Sequence, residues 1–327
     1  MLFAELEDGQ GLGAQLWIYA TTRALATRSG LDFKILGAQR FKGMDFLDID
    51  FGVGASTPPL QDIAEREEYL RGTWRRITRP DPVLFALGPG TKISGNLLGM
   101  SYILGFEGAL RDWIKPKSDP HPINLSENTC VIHVRGGDFS QIVDVFVPAS
   151  YYKKSMRELK RINPLIEFKC VTDDPEVARR VLGDVEIIGS ARSGKIDKRR
   201  ASHHGSGDTG EDFLTLMASR YAIIPNSSFS WWATFLSSTL EVGIGPKYWS
   251  YHNVSTGYWS SFDMVSPHLR YIDRKGKVHT ASDCLTDRQR WEESHENDFA
   301  LSATPPSLLT KAFIRVTQEL RSQLKGF

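Results

Sequence analysis

The sequence lacks both a long apolar run and a strong excess of one charge. No segment approaches the roughly 20 consecutive apolar residues of a membrane span, and the first residues lack a charged start followed by an apolar signal core. Lys plus Arg number 40 against 39 for Asp plus Glu, so no overall field attracts an anionic partner. We therefore expect a soluble chain without stable membrane insertion and without a nucleic-acid partner.

Cysteine is also scarce, and several common enzyme motifs are absent. The three cysteines, Cys130, Cys170 and Cys284, show no paired spacing of the zinc or disulfide type, which favours a reducing cytoplasm. Neither GxSxG nor HExxH occurs. The glycines of segment 9–13 do not complete GxGxxG in frame, so a dinucleotide site is disfavoured.

The length of 327 residues and the 41% hydrophobic content favour two domain-sized cores with a cleft between them. The first part begins as strand Leu2–Leu6, helix Gln15–Ser29 and strand Phe33–Leu36, and helices are predicted at Leu60–Leu70 and Ser101–Ile114. The prolines of segment 116–128 mark the candidate linker. We expect domains at residues 1–122 and 123–327.

The second part alternates short apolar strands with helices, which predicts a parallel sheet covered on both faces. Such sheets bind ligands beyond the carboxyl ends of their strands. Three polar segments lie at predicted strand ends: HVRGGDF, VTDDP and PNSSFSWW. Two stretches fall outside the pattern, the basic insertion at 190–208, expected to be mobile, and an amphipathic closing helix at 305–325.

Arg135 leaves the end of the apolar strand TCVIHV and is followed by two glycines. An arginine fork beside accessible backbone NH groups can hold a diphosphate without a metal ion. The alternative is an ion pair between Arg135 and Asp138 across a tight turn. His133, on the same strand, is either a hydrogen-bonded core residue or a ligand contact.

The next two polar segments also allow two interpretations. Asp174 is expected to cap a helix that has Pro175 at its first position, whereas Thr172 and Asp173 stay available to face the cleft. Serines at the start of a helix can bind phosphate or can cap the helix. The serines concerned are Ser227, Ser228 and Ser230, and the tryptophans that follow them are expected in the core.

Five segments, in order along the chain, resemble the bacterial α-1,2-fucosyltransferase family and, more distantly, the wider group that uses GDP-fucose. They are GQGLGAQLWIYATTRALA, HVRGGDF, VTDDPEVA, EDFLTLMASRYAIIPNSSFSWWATFL and GPKYW. The first is similar to the family's GGLGNQ segment, and the second to its HxRRxD signature.

This resemblance implies an α/β fold of GT-B type, in which an acceptor domain and a GDP-sugar domain, both Rossmann-like, face a cleft. By position, His133 and Asp212 match residues that read guanine, and Arg135 matches the arginine on the β-phosphate. Positions around the ribose and phosphates of the donor are matched by Thr172, Asp173, Ser227 and Ser228.

Two positions depart from the pattern. Gly136 stands where the signature has a second arginine, and Ala14 stands where the first motif has asparagine. We expect the basic insertion to supply the missing positive charge through Arg192, Lys195 or Arg199.

The expected function is inverting, metal-independent transfer of fucose from GDP-fucose to a hydroxyl of an oligosaccharide or glycan, of the galactoside α-1,2 type. We expect a cytoplasmic enzyme, free or held peripherally at the inner membrane, with Asp8 and Asp138 as candidate bases. One alternative is a metal-dependent transferase of another nucleotide sugar, using Asp48 and Asp50. Another is a GDP-sugar-binding module that has lost catalysis.

Overall fold

The structure is a computed structural model. It describes residues 1–54, 58–70, 75–77, 80–118, 125–141, 145–190, 208–247, 264–294 and 296–302. The basic stretch 191–207 and the predicted closing helix at 305–325 lie outside the described residues.

The first part of the chain builds a four-stranded parallel sheet of order β2-β1-β7-β4. A small antiparallel pair, β3 with β8, lies outside this sheet. The elements are β1 Leu2–Glu5, α1 Leu12–Arg28, β2 Phe33–Leu36, β3 Leu47–Ile49, β4 Gln61–Ala64, β5 Glu67–Leu70, β6 Arg75–Ile77, β7 Thr91–Ser94, α2 Met100–Ile103, α3 Glu107–Trp113 and β8 Ile114–Pro116.

One helix prediction in this part is wrong, and a second is confirmed with an interruption. The stretch Leu60–Leu70 forms β4 and β5, because pairing of β4 with β7 outweighs the local apolar spacing. The stretch Ser101–Ile114 is divided into α2 and α3 around Gly105, whose φ of 85° interrupts a right-handed helix.

The second part builds a seven-stranded sheet of order β11-β10-β9-β12-β13-β14-β15, parallel except for β15. The apolar strand β9 occupies its interior and is buried along its whole length. The elements are β9 Thr129–Val134, α4 Ala149–Ile162, β10 Glu167–Thr172, α5 Pro175–Leu182, β11 Glu186–Ile187, α6 Asp208–Ala218, β12 Tyr221–Ile223, α7 Ser228–Leu236, β13 Val242–Pro246, β14 Leu269–Ile272, β15 Val278–His279, α8 Ala281–Ser294 and β16 Phe299–Ser302.

Helices cover both faces of this second sheet, as predicted from its apolar strands. Side chains alternate along β9, so Val131 joins the core beneath α6 and α7, whereas Ile132 and Val134 join the core beneath α4 and α5. His133 therefore points to the same face as Val131. This face is continuous with the first part of the chain, because Trp17 of α1 packs against the tryptophans of α7.

The predicted α/β class is confirmed, with one parallel sheet in the first part and one mainly parallel sheet in the second. The domain boundary at residue 122 stays a prediction. The strand β16, which lies after that boundary in sequence, pairs with β5 of the first part. Within the described ranges no helix has both the length and the apolar character needed to cross a bilayer.

Candidate active site

Arg135 is the first residue beyond the buried strand β9, and Asp173 holds its guanidinium group. Arg135 Nη1 lies 2.6 Å from Asp173 Oδ2, and the backbone NH of Gly136 donates to Asp173 Oδ1 at 2.7 Å. One carboxylate at the end of β10 thus orients both the arginine and the turn that follows it. Asp173 is thus an acidic partner of Arg135, and the alternative ion pair with Asp138 stays a prediction.

Asp138 lies in the 3-10 helix Gly137–Gln141 that follows this turn. Its side chain is outside the described part of the structure, so its predicted role as a base stays a prediction. Phe139 in the same short helix lies under Arg135, with 5.1 Å between the guanidinium carbon and the ring centre. The aromatic face further restricts where the arginine can point.

The structure leaves no space at position 136 for the second arginine of the HxRRxD signature. A Cβ atom at this position would lie 2.5 Å from Asp174 Cβ and 3.1 Å from Val177 Cβ. Both neighbours belong to the start of α5, which is fixed because Asp174 Oδ1 accepts hydrogen bonds from the NH groups of Glu176 and Val177. The helix start therefore occupies the space, and the predicted capping role of Asp174 is confirmed.

Thr172 is buried at the end of β10 and its hydroxyl is engaged by backbone groups. Its Oγ1 donates to the carbonyl of Val134 at 2.8 Å and accepts from the NH of Asp174 at 3.0 Å. Its donor hydrogen is used within the protein, so a ligand could contact this hydroxyl only by donating to its second lone pair. The sequence interpretation left Thr172 and Asp173 available to the cleft, but in the structure both join β10 to β9.

His133 is buried on the face covered by α7, with its ring centre 5.5 Å from that of Phe229. Burial, followed by the charge of Arg135, lowers the pKa of His133 to about 3, so its imidazole is neutral near pH 7. Among the described residues its Nδ1 has no hydrogen-bond partner. A buried polar nitrogen without a partner is costly, which favours a ligand contact over a satisfied core histidine.

Asp212 lies in α6, beside the same aromatic layer. Its carboxylate accepts from the NH and the hydroxyl of Ser190 at 2.9 and 2.8 Å. The adjacent Phe213 ring packs edge to face on Phe229, 5.3 Å between centres. Phe229 therefore contacts both the His133 ring and the residue next to Asp212. The structure brings these two predicted guanine-reading residues to one face of the sheet.

The start of α7 is not capped by its serine side chains. Ser227 occupies the N-cap position without a side-chain hydrogen bond to the helix, and the hydroxyls of Ser227 and Ser228 form no hydrogen bond with any residue the structure describes. Simple capping therefore does not account for them. The tryptophans that follow are fully buried, and their predicted place in the core is confirmed.

The first part of the chain approaches this site through α1. A Cβ at Gly13 would lie 2.5 Å from the backbone nitrogen of Phe229, so the starts of α1 and α7 are in contact. Asp8 precedes α1, is 91% exposed, and lies 3.3 Å from Arg40 Nε through its Oδ1. The structure thus places this candidate base in an exposed ion pair.

Asp48 and Asp50, the residues of the metal-dependent alternative, are both exposed. Asp50 Oδ1 accepts from the NH of Gly52 at 2.8 Å, which stabilises a turn. In the described ranges no three His, Cys, Asp or Glu side chains are grouped so that they could hold a metal ion.

Sequence reasoning missed Lys42. Its backbone NH donates to the side chain of Gln15 in α1, and burial, followed by the charge of Arg135, lowers the pKa of its amino group. No local motif marks it, because the approach depends on how the two parts of the chain pack.

Three comparisons relate the chain to known proteins. Residues 121–258 match Glycosyl transferase family 11. An alpha-1,2-colitosyltransferase of Escherichia coli is 29% identical over 182 residues, which are 48% of this chain and 59% of that protein. The chain thus spans less than two thirds of this curated relative.

Two solved structures of NodZ alpha-1,6-fucosyltransferase are also similar, each at 16% identity and over 85% of this chain. The one soaked with GDP-fucose has a TM-score of 0.47 and is covered over 98% of its length. The one co-crystallised with GDP has a TM-score of 0.46 and is covered over 96%.

The matched residues contain β9, β10, α6 and α7, and with them the strand ends that carry Arg135, Asp173 and the serines of α7. The match at residues 121–258 confirms, for this part of the chain, the family resemblance predicted from the sequence.

Proposed function

We propose that the chain is a glycosyltransferase that moves a sugar from a guanosine diphosphate donor to a carbohydrate hydroxyl, with inversion at the anomeric carbon. The observation that carries this proposal is the carboxyl edge of the second sheet, where Arg135 leaves β9 and the uncapped start of α7 follows β12. A guanidinium group and the positive end of a helix both favour a diphosphate.

The guanine base belongs on the face covered by α6 and α7. A neutral imidazole at His133 can accept or donate one hydrogen bond, and the carboxylate of Asp212 can accept from both the ring NH and the amino group of guanine. Adenine does not offer that pair of donors. Ser190, which now donates to Asp212, would be displaced by the base or would share the carboxylate with it.

In the proposed reaction the acceptor oxygen attacks the anomeric carbon as the bond from that carbon to the β-phosphate oxygen breaks. The electron pair stays with GDP, so negative charge grows on the diphosphate during the reaction. Arg135, oriented by Asp173, stabilises this charge more in the transition state than in the bound donor.

The acceptor proton passes to a carboxylate, with Asp138 and Asp8 as the candidates. Asp138 is the better placed of the two along the chain, three residues after Arg135 in the turn that begins the site. Asp8 is exposed and forms an ion pair with Arg40, so it would have to leave this partner to accept the proton.

Fucose is the first candidate sugar and colitose the second. The family resemblance favours fucose, whereas the similarity to an alpha-1,2-colitosyltransferase favours colitose, which is fucose without one ring hydroxyl. The proposed linkage is α-1,2 to a galactoside. Metal independence is part of the proposal, since Arg135 supplies a cation at the diphosphate position.

The test measures transfer from radiolabelled GDP-fucose and GDP-colitose, with GDP-mannose and UDP-galactose as controls, to a panel of galactosides and glucosaminides. We expect transfer from the first two donors only, with the same rate in excess EDTA. Loss of activity in EDTA that Mg²⁺ or Mn²⁺ restores would establish the metal-dependent alternative. Donor binding with neither transfer nor slow donor hydrolysis would establish a binding module.

Recognition of the base is tested with Asp212→Asn, which keeps the volume of the side chain but removes its charge. We expect weaker binding of GDP, by about tenfold for the loss of a charged hydrogen bond, and little change for ADP or UDP. Calorimetry with the three nucleotides measures this. An equal loss for all three would assign Asp212 to anchoring Ser190 instead.

A further inference from the structure

Lys42 lies in the loop after β2, and a side chain of α1 forms hydrogen bonds to the backbone of this loop at two residues. The side chain of Gln15, 1% exposed, donates through Nε2 to the carbonyl of Arg40 at 2.8 Å and accepts through Oε1 from the NH of Lys42 at 2.9 Å. Between these two bonds, the buried ring of Phe41 packs edge to face on Phe51. The backbone of Lys42 is therefore held in one place relative to α1.

The same loop packs directly on the second part of the chain. The Phe46 ring lies 5.8 Å from that of Phe213, and a Cβ at Gly210 would lie 2.7 Å from Phe46 Cδ1. Both Gly210 and Phe213 belong to α6, the helix that carries Asp212. The loop therefore borders the candidate donor site from the opposite part of the chain.

The Lys42 side chain is half-buried, and the charge of Arg135 acts on its amino group. Burial of the amino group, and then the charge of Arg135, lower the pKa of Lys42 below its usual value. The Lys42 amino group forms no hydrogen bond or ion pair with any residue that the structure describes. Two nearby cations repel each other, and an anion bound between them would remove that cost.

The diphosphate of the proposed donor is such an anion, and the resemblance to the HxRRxD signature implies a second cationic contact that this chain lacks at position 136. Gly136 replaces the second arginine of the HxRRxD signature, and the start of α5 fills the space that a side chain there would need. A second cation must then come from elsewhere if the diphosphate is to be neutralised to the same extent. Lys42 lies in the loop whose Phe46 packs on α6, which makes it a candidate from the first part of the chain.

We propose that Lys42 binds the donor diphosphate together with Arg135 and so replaces the second arginine of the signature. The inference rests on the proposed function for its ligand. It also makes the donor site a joint product of both parts of the chain, so that diphosphate binding couples the loop after β2 to the end of β9.

The test compares wild type with Lys42→Met, which keeps most of the side-chain volume and removes the charge, and with Lys42→Arg, which keeps the charge. The matched control is Lys34→Met on β2, because the Lys34 amino group donates to the carbonyl of Gly52 at 3.3 Å, within the first part. Calorimetry measures binding of GDP, guanosine and inorganic pyrophosphate, and thermal unfolding confirms that every variant is folded.

We expect Lys42→Met to weaken the binding of GDP and of pyrophosphate by about tenfold or more and to leave guanosine binding unchanged. Lys34→Met should weaken GDP and pyrophosphate binding less. Lys42→Arg should retain most of the affinity. Equal values for Lys42→Met and Lys34→Met would overturn the inference. If wild type binds pyrophosphate but not GDP, the proposed guanosine diphosphate donor is overturned, and the pyrophosphate affinities of the variants still test Lys42. If wild type binds neither ligand, both the proposed function and the role of Lys42 are overturned.

Discussion

Two arginine–aspartate pairs follow strand ends in the two sheets, and they differ in what they leave for a ligand. Arg66 follows β4 and donates to both carboxylate oxygens of Asp81. Its Nε lies 3.0 Å from Oδ1 and 2.9 Å from Oδ2, and its Nη2 lies 2.5 Å from Oδ1. Asp81 also accepts from the backbone of Arg66 and of Val83. All the hydrogen-bonding capacity of this carboxylate is therefore used by Arg66 and by the start of the 3-10 helix Pro82–Phe85.

The Arg135 pair is built differently. Its contact with Asp173 uses Nη1, and the second carboxylate oxygen accepts from the turn at Gly136. Around it stand polar groups with unused hydrogen-bonding capacity among the described residues, namely His133 Nδ1 and the hydroxyls of Ser227 and Ser228. The comparison teaches that the same residue pair can complete a fold in one sheet and orient a cation toward a ligand in the other.

The largest expected effect comes from exchanging each arginine for lysine. Arg135→Lys keeps the charge but loses the planar fork, and we expect turnover to fall about a hundredfold, on the order of 3 kcal/mol. GDP binding should weaken far less, because charge on the diphosphate grows during the reaction. Steady-state kinetics with GDP-fucose and a working acceptor measure this.

Arg66→Lys is the matched control, since it removes the bidentate contact to Asp81 in the other sheet. We expect it to lower the melting temperature and to leave GDP affinity unchanged. If Arg135→Lys instead stays within a few fold of wild-type turnover, the two pairs are equivalent and Arg135 only stabilises its turn.

The next effect tests why the second arginine is missing. Gly136→Arg should destabilise the fold by about 1–3 kcal/mol, because its Cβ would meet Asp174 and Val177 at the fixed start of α5. We expect no gain in GDP affinity. Urea unfolding and calorimetry provide the measurements, with Gly108→Arg as the control, since a Cβ at that exposed position of α3 meets no atom within 4 Å. A stable Gly136→Arg variant that binds GDP more tightly would show that α5 yields.

The sequence predicted most of the second sheet and the chemistry at its edge. Strand, turn and cap signals are local there: α5 begins at Pro175 and ends at Leu182 as predicted, with Asp174 as its cap. Arg135 was also identifiable, because two glycines follow it at the end of an apolar strand.

What the sequence could not predict depends on packing between distant segments. Asp173, which orients Arg135, lies 38 residues away just after β10, by the difference between positions 135 and 173. Lys42 approaches from the other part of the chain, and Gly136 is explained only by the position of α5. In β4, strand pairing overrode an apolar spacing that indicated a helix.

The smallest expected effect is a difference between the two arginine–aspartate regions in how the free energy of unfolding depends on pH. Burial, then the charge of Arg135, lower the pKa of His133 to about 3 from a usual value of 6.5. Between these values the unfolded chain binds a proton that the folded chain does not, so the free energy of unfolding is fully retained above pH 6.5 and falls as the pH is lowered. A full one-proton difference gives a slope of about 1.4 kcal/mol per pH unit.

At the other pair, burial raises the pKa of Asp81, but the hydrogen bonds and charge of Arg66 outweigh it and lower the pKa below 3.8. The stability that this pair contributes is therefore present above pH 3.8 and is lost only in stronger acid. Urea unfolding of wild type and His133→Gln between pH 6 and pH 5 should thus report His133 alone. We expect wild type to lose about 1 kcal/mol more than the variant over that interval. Equal losses would mean that His133 is protonated as readily in the folded chain as in the unfolded one, and that the face beneath α7 is open to water.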